Sequence, residues 1–107
     1  MPAKARSRTV PHQGTLKAIA EGYVLTAAPS GQYQRLAPKG GRTICWLLPG
    51  KRHVRLHFVT RVDRAPKALL KDTWAGTGGL IQMAVTGEGD SVDRARALVA
   101  WAIQHRA

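Results

Sequence analysis

The chain has 107 residues, 44% of them apolar, with a single cysteine and a net charge of +11. That apolar content is enough for one modest core, which excludes a disordered polycation, and no apolar run is long enough to cross a bilayer. One cysteine also excludes an internal disulfide framework.

Residues 1–14 carry Lys4, Arg6 and Arg8 among prolines and few large apolar side chains. They read as a flexible basic arm, and residues 15–107 as a single domain. No apolar segment follows these bases, so the arm does not have the form of a secretory signal. Thr15–Glu21 places Leu16, Ile19 and Ala20 at helical spacing, with Thr15 as N-cap and Gly22 as stop. A run of strands comes next: Tyr23–Ala28, Gln32–Ala37 and Thr43–Leu48, separated by Pro29-Ser30-Gly31 and Pro38-Lys39-Gly40-Gly41 turns. Ile44, Trp46 and Leu48 share one parity, and Trp46 is expected in the core. Pro49-Gly50 suits the centre of a type II turn.

Lys51–Val62 has the clearest alternation. Val54, Leu56, Phe58 and Val62 take one parity, and Arg55, His57 and Arg61 the other, the pattern of a strand with one face on the core and one in water. Asp63 to Pro66 then opens a helix near Lys67–Trp74, with Trp74 expected in the core. Gly76–Gly79 is a loop and Leu80–Thr86 a last strand. A final helix runs from Val92 to about His105, capped by Asp90 or Ser91 and buried along Val92, Ala95, Leu98, Val99, Ala102 and Ile103. The expected fold is α+β: an antiparallel sheet of four or five strands, with a short N-terminal helix and a C-terminal helix packed on one face.

From Leu16 to Pro49 the chain carries, in order, Leu16-Lys17-Ala18-Ile19, Gly22-Tyr23, Ser30-Gly31-Gln32-Tyr33, Pro38 and Gly40-Gly41. In these residues it resembles the HicA-type messenger-RNA-cleaving toxins, small basic proteins with a double-stranded-RNA-binding-like fold and a catalytic His in a Gly-Ser-His motif. The resemblance covers about a third of the chain and implies an αββ start. Gln32 stands where that His belongs, so no catalytic role carries over.

Charge separates the two parts of the chain. Residues 1–62 hold eleven Lys/Arg against one acid, Glu21, whereas residues 63–107 hold six bases and five acids. A positive field confined to part of a small domain selects polyanionic partners. Arg55, His57 and Arg61 alternate outward on one strand. Arg35 and Arg42 lie on the neighbouring hairpin, and Lys51 and Arg52 at the strand's end. Together they form a candidate phosphate-contact surface, with Tyr33 as a stacking platform for an unpaired base and the arm extending it. Arg94 and Trp101 share the side of the last helix away from its apolar stripe, a candidate protein interface or homodimer contact.

His53 and His57 stand about 13 Å apart on a strand, too far to share one ion, so no metal or other cofactor is expected. Cys45, inside an apolar strand, reads as a small buried hydrophobe in a reducing cytoplasm. The function expected is a small non-enzymatic nucleic-acid-binding protein. Two other classes fit the composition. One is a phage- or mobile-element-type inhibitor, anti-CRISPR-like, on an acidic protein surface or a nucleic-acid channel. The other is a metal-independent ribonuclease toxin using His57.

Overall fold

The structure, a computed structural model, describes residues 12–28, 33–76, 80–87 and 90–105. Two helices, α1 (Gln13–Ala20) and α2 (Ser91–His105), lie against a sheet of six strands. The strands are β1 (Val24–Ala27), β2 (Gln34–Ala37), β3 (Cys45–Pro49), β4 (Val54–Phe58), β5 (Thr73–Ala75) and β6 (Ile81–Val85). Their order is β1-β2-β3-β4-β6-β5, antiparallel throughout. The fold is therefore α+β with an αββ start, and its sheet has one strand more than the upper expectation.

One face of the sheet carries the core. The register sets Cys45 opposite Phe58, and Leu47 opposite Leu56 and through it Met83. These side chains are fully buried beneath Leu16 and Ile19 of α1 and Ala95, Leu98 and Val99 of α2. The alternation in β4 does what its pattern requires, with Val54, Leu56 and Phe58 inward. Burial pushes the Cys45 thiol far above its ordinary range, which leaves it an inert apolar filler.

Arg96 joins the two helices. One terminal nitrogen of its guanidinium donates to the carbonyls of Ala18 (3.0 Å), Ile19 (3.1 Å) and Glu21 (2.9 Å), and the group lies 5.7 Å from the Tyr23 ring centroid. The last carbonyls of α1 have no partner inside the helix and carry its negative dipole end, so a cation from α2 satisfies both needs. At the other end of α1, His12 adopts φ 59° as N-cap and donates through Nε2 to the Gly50 carbonyl at 2.9 Å. The helix thus starts two residues before the expected Thr15 cap, and its beginning is fixed to the β3–β4 turn.

Several expectations need correction. The helix expected over Lys67–Trp74 is only a 3-10 turn, Lys67–Leu70. Asp72 takes φ 63°, which ends the helical course, and the Thr73 hydroxyl donates to the Leu70 carbonyl at 2.6 Å. Thr73 and Trp74 then pair with β6 as the sixth strand. The strand expected over Lys51–Val62 spans only Val54–Phe58, and Val62 reaches the core from a second 3-10 turn, Val62–Arg64. The β3–β4 turn closes through the Gly50 amide and the His53 carbonyl, so Lys51 and Arg52 form its tip and Pro49 stays in the strand. Pro38–Gly41 is a turn as expected, with Gly40 at φ 73° and the Gly41 amide donating to the Pro38 carbonyl. Most of the expected arm, residues 1–11, lies outside the described residues.

Candidate nucleic-acid interface on the open sheet face

Both helices cover one side of the sheet, and the other side faces outward. Cross-strand register places Thr26, Arg35, Trp46, His57, Gln82 and Trp74 in a single row across all six strands. Leu48, Arg55 and Ala84 form the next row, with Tyr33 at its end, just before β2. Neither row contains an acid, and among the described residues no strand residue is acidic.

Trp46 and Trp74 are therefore not core residues. Within one strand of a sheet covered on one side, only one parity can be buried. Cys45 and Leu47 face Phe58 and Leu56, so Trp46 and Leu48 point to the open face, half-buried. Ile44 alone of the expected Ile44/Trp46/Leu48 set is in the core; it lies just before β3. Trp74, at the sheet edge, is 42% exposed.

Trp46 is the centre of the face. The Tyr33 ring meets it edge-on, centroids 4.6 Å apart at 65°. The Arg35 guanidinium lies 6.0 Å from the indole centroid, within cation–π range. Two shallow depressions flank Trp46. One is lined by Tyr33, Trp46, Leu48 and His57, the other by Trp46, His57, Val59, Leu80 and Gln82 among others. Each encloses about 280 Å³. Gly76 sits so close to Gln82 that a methyl group there would collide with the glutamine side chain.

His57 belongs to both depressions. Its Nε2 is buried and has no hydrogen-bond partner among the described residues. Burial lowers its pKa below the ordinary imidazole value, and the Arg55 charge lowers it further.

The other expected site residues divide clearly. Arg35, Arg55, His57 and Tyr33 come together on the open face, and Lys51 and Arg52 are exposed at the β3–β4 tip. Arg42 is exposed in the β2–β3 loop, at the opposite end of the sheet. Arg61 is not on the face. It follows the end of β4 and folds back on Asp63 through two bonds of 3.0 Å. Arg94 is held by Asp72 (3.1 Å) and Asp90 (3.0 Å). Trp101 is half-buried against the core and stacked on His105, centroids 4.2 Å apart. Arg94 and Trp101 both lie on α2, on the covered side of the sheet, away from the face that gathers the other residues.

Sequence reasoning missed Trp46 and Gln82. The sequence signal for Trp46 was partial: Cys45 and Trp46 cannot both be buried in a strand covered on one side, but only the pairing with β4 shows which of them turns outward. Among the described residues no three His, Cys, Asp or Glu side chains converge as a metal site would require, and no helix is long and apolar enough to cross a membrane. No protein-family model, curated protein or solved structure matches this chain.

Proposed function

We propose that this protein is a small nucleic-acid-binding module that grips the phosphate backbone with the open sheet face, the β3–β4 tip and the N-terminal arm. The observation that carries the reading is the composition of that face: aromatic rings at Tyr33 and Trp46, flanked by Arg35 and Arg55, with no acid in either row. Exposed guanidinium groups displace counterions condensed on a phosphate backbone, and this release supplies most of the affinity of non-specific binding. The His12–Gly50 bond supports a role for the arm, because the chain carrying Lys4, Arg6 and Arg8 joins the fold beside Lys51 and Arg52.

The test is fluorescence anisotropy with the purified, nuclease-treated protein and labelled DNA and RNA across a salt series. The expected result is micromolar or tighter binding at low salt, with log K falling linearly in log[salt] at a slope of about −0.7 per contact on a single strand. Replacing Arg35 and Arg55 together by Gln makes that slope shallower by about 1.4. Absence of binding at low salt overturns the proposal. The same labelled RNA reads cleavage, the outcome a ribonuclease centred on His57 would require.

A further inference from the structure

We propose that the open face selects an unpaired strand and seats two of its bases on either side of Trp46, one in each of the two depressions that Trp46 and His57 share. The inference rests on the nucleic-acid reading and names the form of nucleic acid that the face takes.

Three observations lead to it. The first is that the indole is positioned in advance. Tyr33 meets it edge-on at 4.6 Å, Arg35 sits 6.0 Å from its centroid, and the flanking strands hold its backbone on both sides. A ring already fixed in place loses little freedom when a flat ligand lies against it, which raises affinity without new contacts. The second is size. Depressions of about 280 Å³ fall just under the range of about 300–1,000 Å³ typical of clefts for whole small molecules. They suit single rings presented by a chain that continues outside. The third is polarity. The lining is more apolar than polar, and the side chains of His57 and Gln82 border it. The edge of a nucleobase carries donors and acceptors that a polar side chain such as that of Gln82 can pair with.

Duplex excludes itself by geometry. Its bases are stacked on each other, and only their edges show in the grooves, so a sheet carrying rings can meet them face-on only after the bases leave the stack. An unpaired strand offers π-faces and phosphates together. The face offers Trp46 with Tyr33 for the former and Arg35 with Arg55 for the latter, a pairing common to proteins that bind single strands. An acidic protein surface would satisfy the arginines and leave the rings unused.

The experiment compares labelled oligouridylate and oligothymidylate of about ten nucleotides, within the usual site size of a single-strand binding fold, with a duplex of equal length. The proteins are the full chain, Trp46→Ala, Trp46→Phe and Tyr33→Ala, each checked by circular dichroism and thermal melting. Expected is a preference for single strand of about tenfold or more, with quenching of tryptophan fluorescence that Trp46→Phe removes. Trp46→Ala weakens single-strand binding roughly ten- to a hundredfold, a much larger loss than it causes in the weaker duplex binding. Tyr33→Ala, which lies outside the strands, gives a loss of several-fold and keeps the test open should Trp46→Ala not fold. Equal affinity for both forms, unmoved by Trp46→Ala or Tyr33→Ala but steep in salt, overturns the two-base site and leaves the phosphate reading standing. No binding to any of the three ligands removes both.

Discussion

Arg55 and Arg61 look equivalent in sequence, but the structure gives them different neighbours. Replacing each by Gln is therefore a sharp test of the interface. Arg55 projects from β4 beside Leu48 and Ala84 and forms no ion pair among the described residues. Arg61 holds Asp63 through Nε and a terminal nitrogen, both at 3.0 Å. That bond raises the pKa of Arg61 and lowers that of Asp63, so the pair remains charged and compensated over the working pH range. A phosphate approaching Arg61 must compete with a carboxylate already in bidentate contact, and at physiological salt the field of the pair is screened within about 8 Å. Arg55→Gln should thus remove one phosphate contact and flatten the plot of log K against log[salt] by about 0.7 on a single strand. Between about 50 and 200 mM salt, that contact alone accounts for a change in affinity of roughly 2.5-fold. Arg61→Gln should leave the slope unchanged within error. Anisotropy titrations at four or five salt concentrations, on both variants in parallel, resolve the difference. The reasoning fails if Arg61→Gln flattens the slope as much as Arg55→Gln does, or if Arg55→Gln leaves it intact.

Three further outcomes follow from the structure. Arg96→Met keeps the aliphatic stem but removes the bonds to the Ala18, Ile19 and Glu21 carbonyls at the end of α1; it should cost about 2–3 kcal/mol and lower Tm by roughly 10 °C or more in a thermal melt, with ligand binding restored to normal well below the new Tm. The folded-state pKa of His57 is depressed, so the unfolded chain binds its proton first; stability at this site is complete above about pH 6.5 and is lost as pH falls toward the folded value, and His57→Gln should flatten urea midpoints measured across that window. Gly76→Ala pushes a methyl group into the Gln82 side chain; it should shift the Gln82 side-chain amide resonances and weaken single-strand binding several-fold, while stability changes by no more than about 0.5 kcal/mol.

The sequence was most legible where a single face decided the pattern. Val54, Leu56 and Phe58 alternate with Arg55 and His57, so β4 and its outward cations could be read directly. The final helix likewise announced itself by its apolar stripe. β3 resisted because both its parities are apolar: Ile44, Trp46 and Leu48 on one, Cys45 and Leu47 on the other. Only pairing with β4, a contact distant from local sequence, chooses between them. β5 was hidden for a similar reason. Three residues at a sheet edge carry almost no periodic signal, and Thr73–Ala75 becomes a strand by pairing with β6 after Asp72 ends the preceding turn. Arg61 was misplaced because an alternation was extended three residues past the point where the strand stops. In the site, Tyr33, Arg35, Arg55 and His57 were visible as a set, and the ring at its centre was not.

Whole-chain charge is a poor guide to the field a ligand meets. Arg61 and Arg94 are engaged by Asp63, Asp72 and Asp90, Arg96 is committed to the end of α1, and Lys17 lies on α1, on the covered side of the sheet. The cations that bear on the open face are fewer, chiefly Arg35 and Arg55, with Lys51 and Arg52 at the nearby tip. They are also better placed. Arg35 couples the two halves of the proposed site, because the cation that would meet a phosphate also lies against the ring that would stack a base. A ligand that uses only charge meets a few scattered arginines. A ligand that carries a flat ring beside each phosphate engages rings and cations together, which is the ground for proposing a nucleic-acid strand rather than an acidic protein surface.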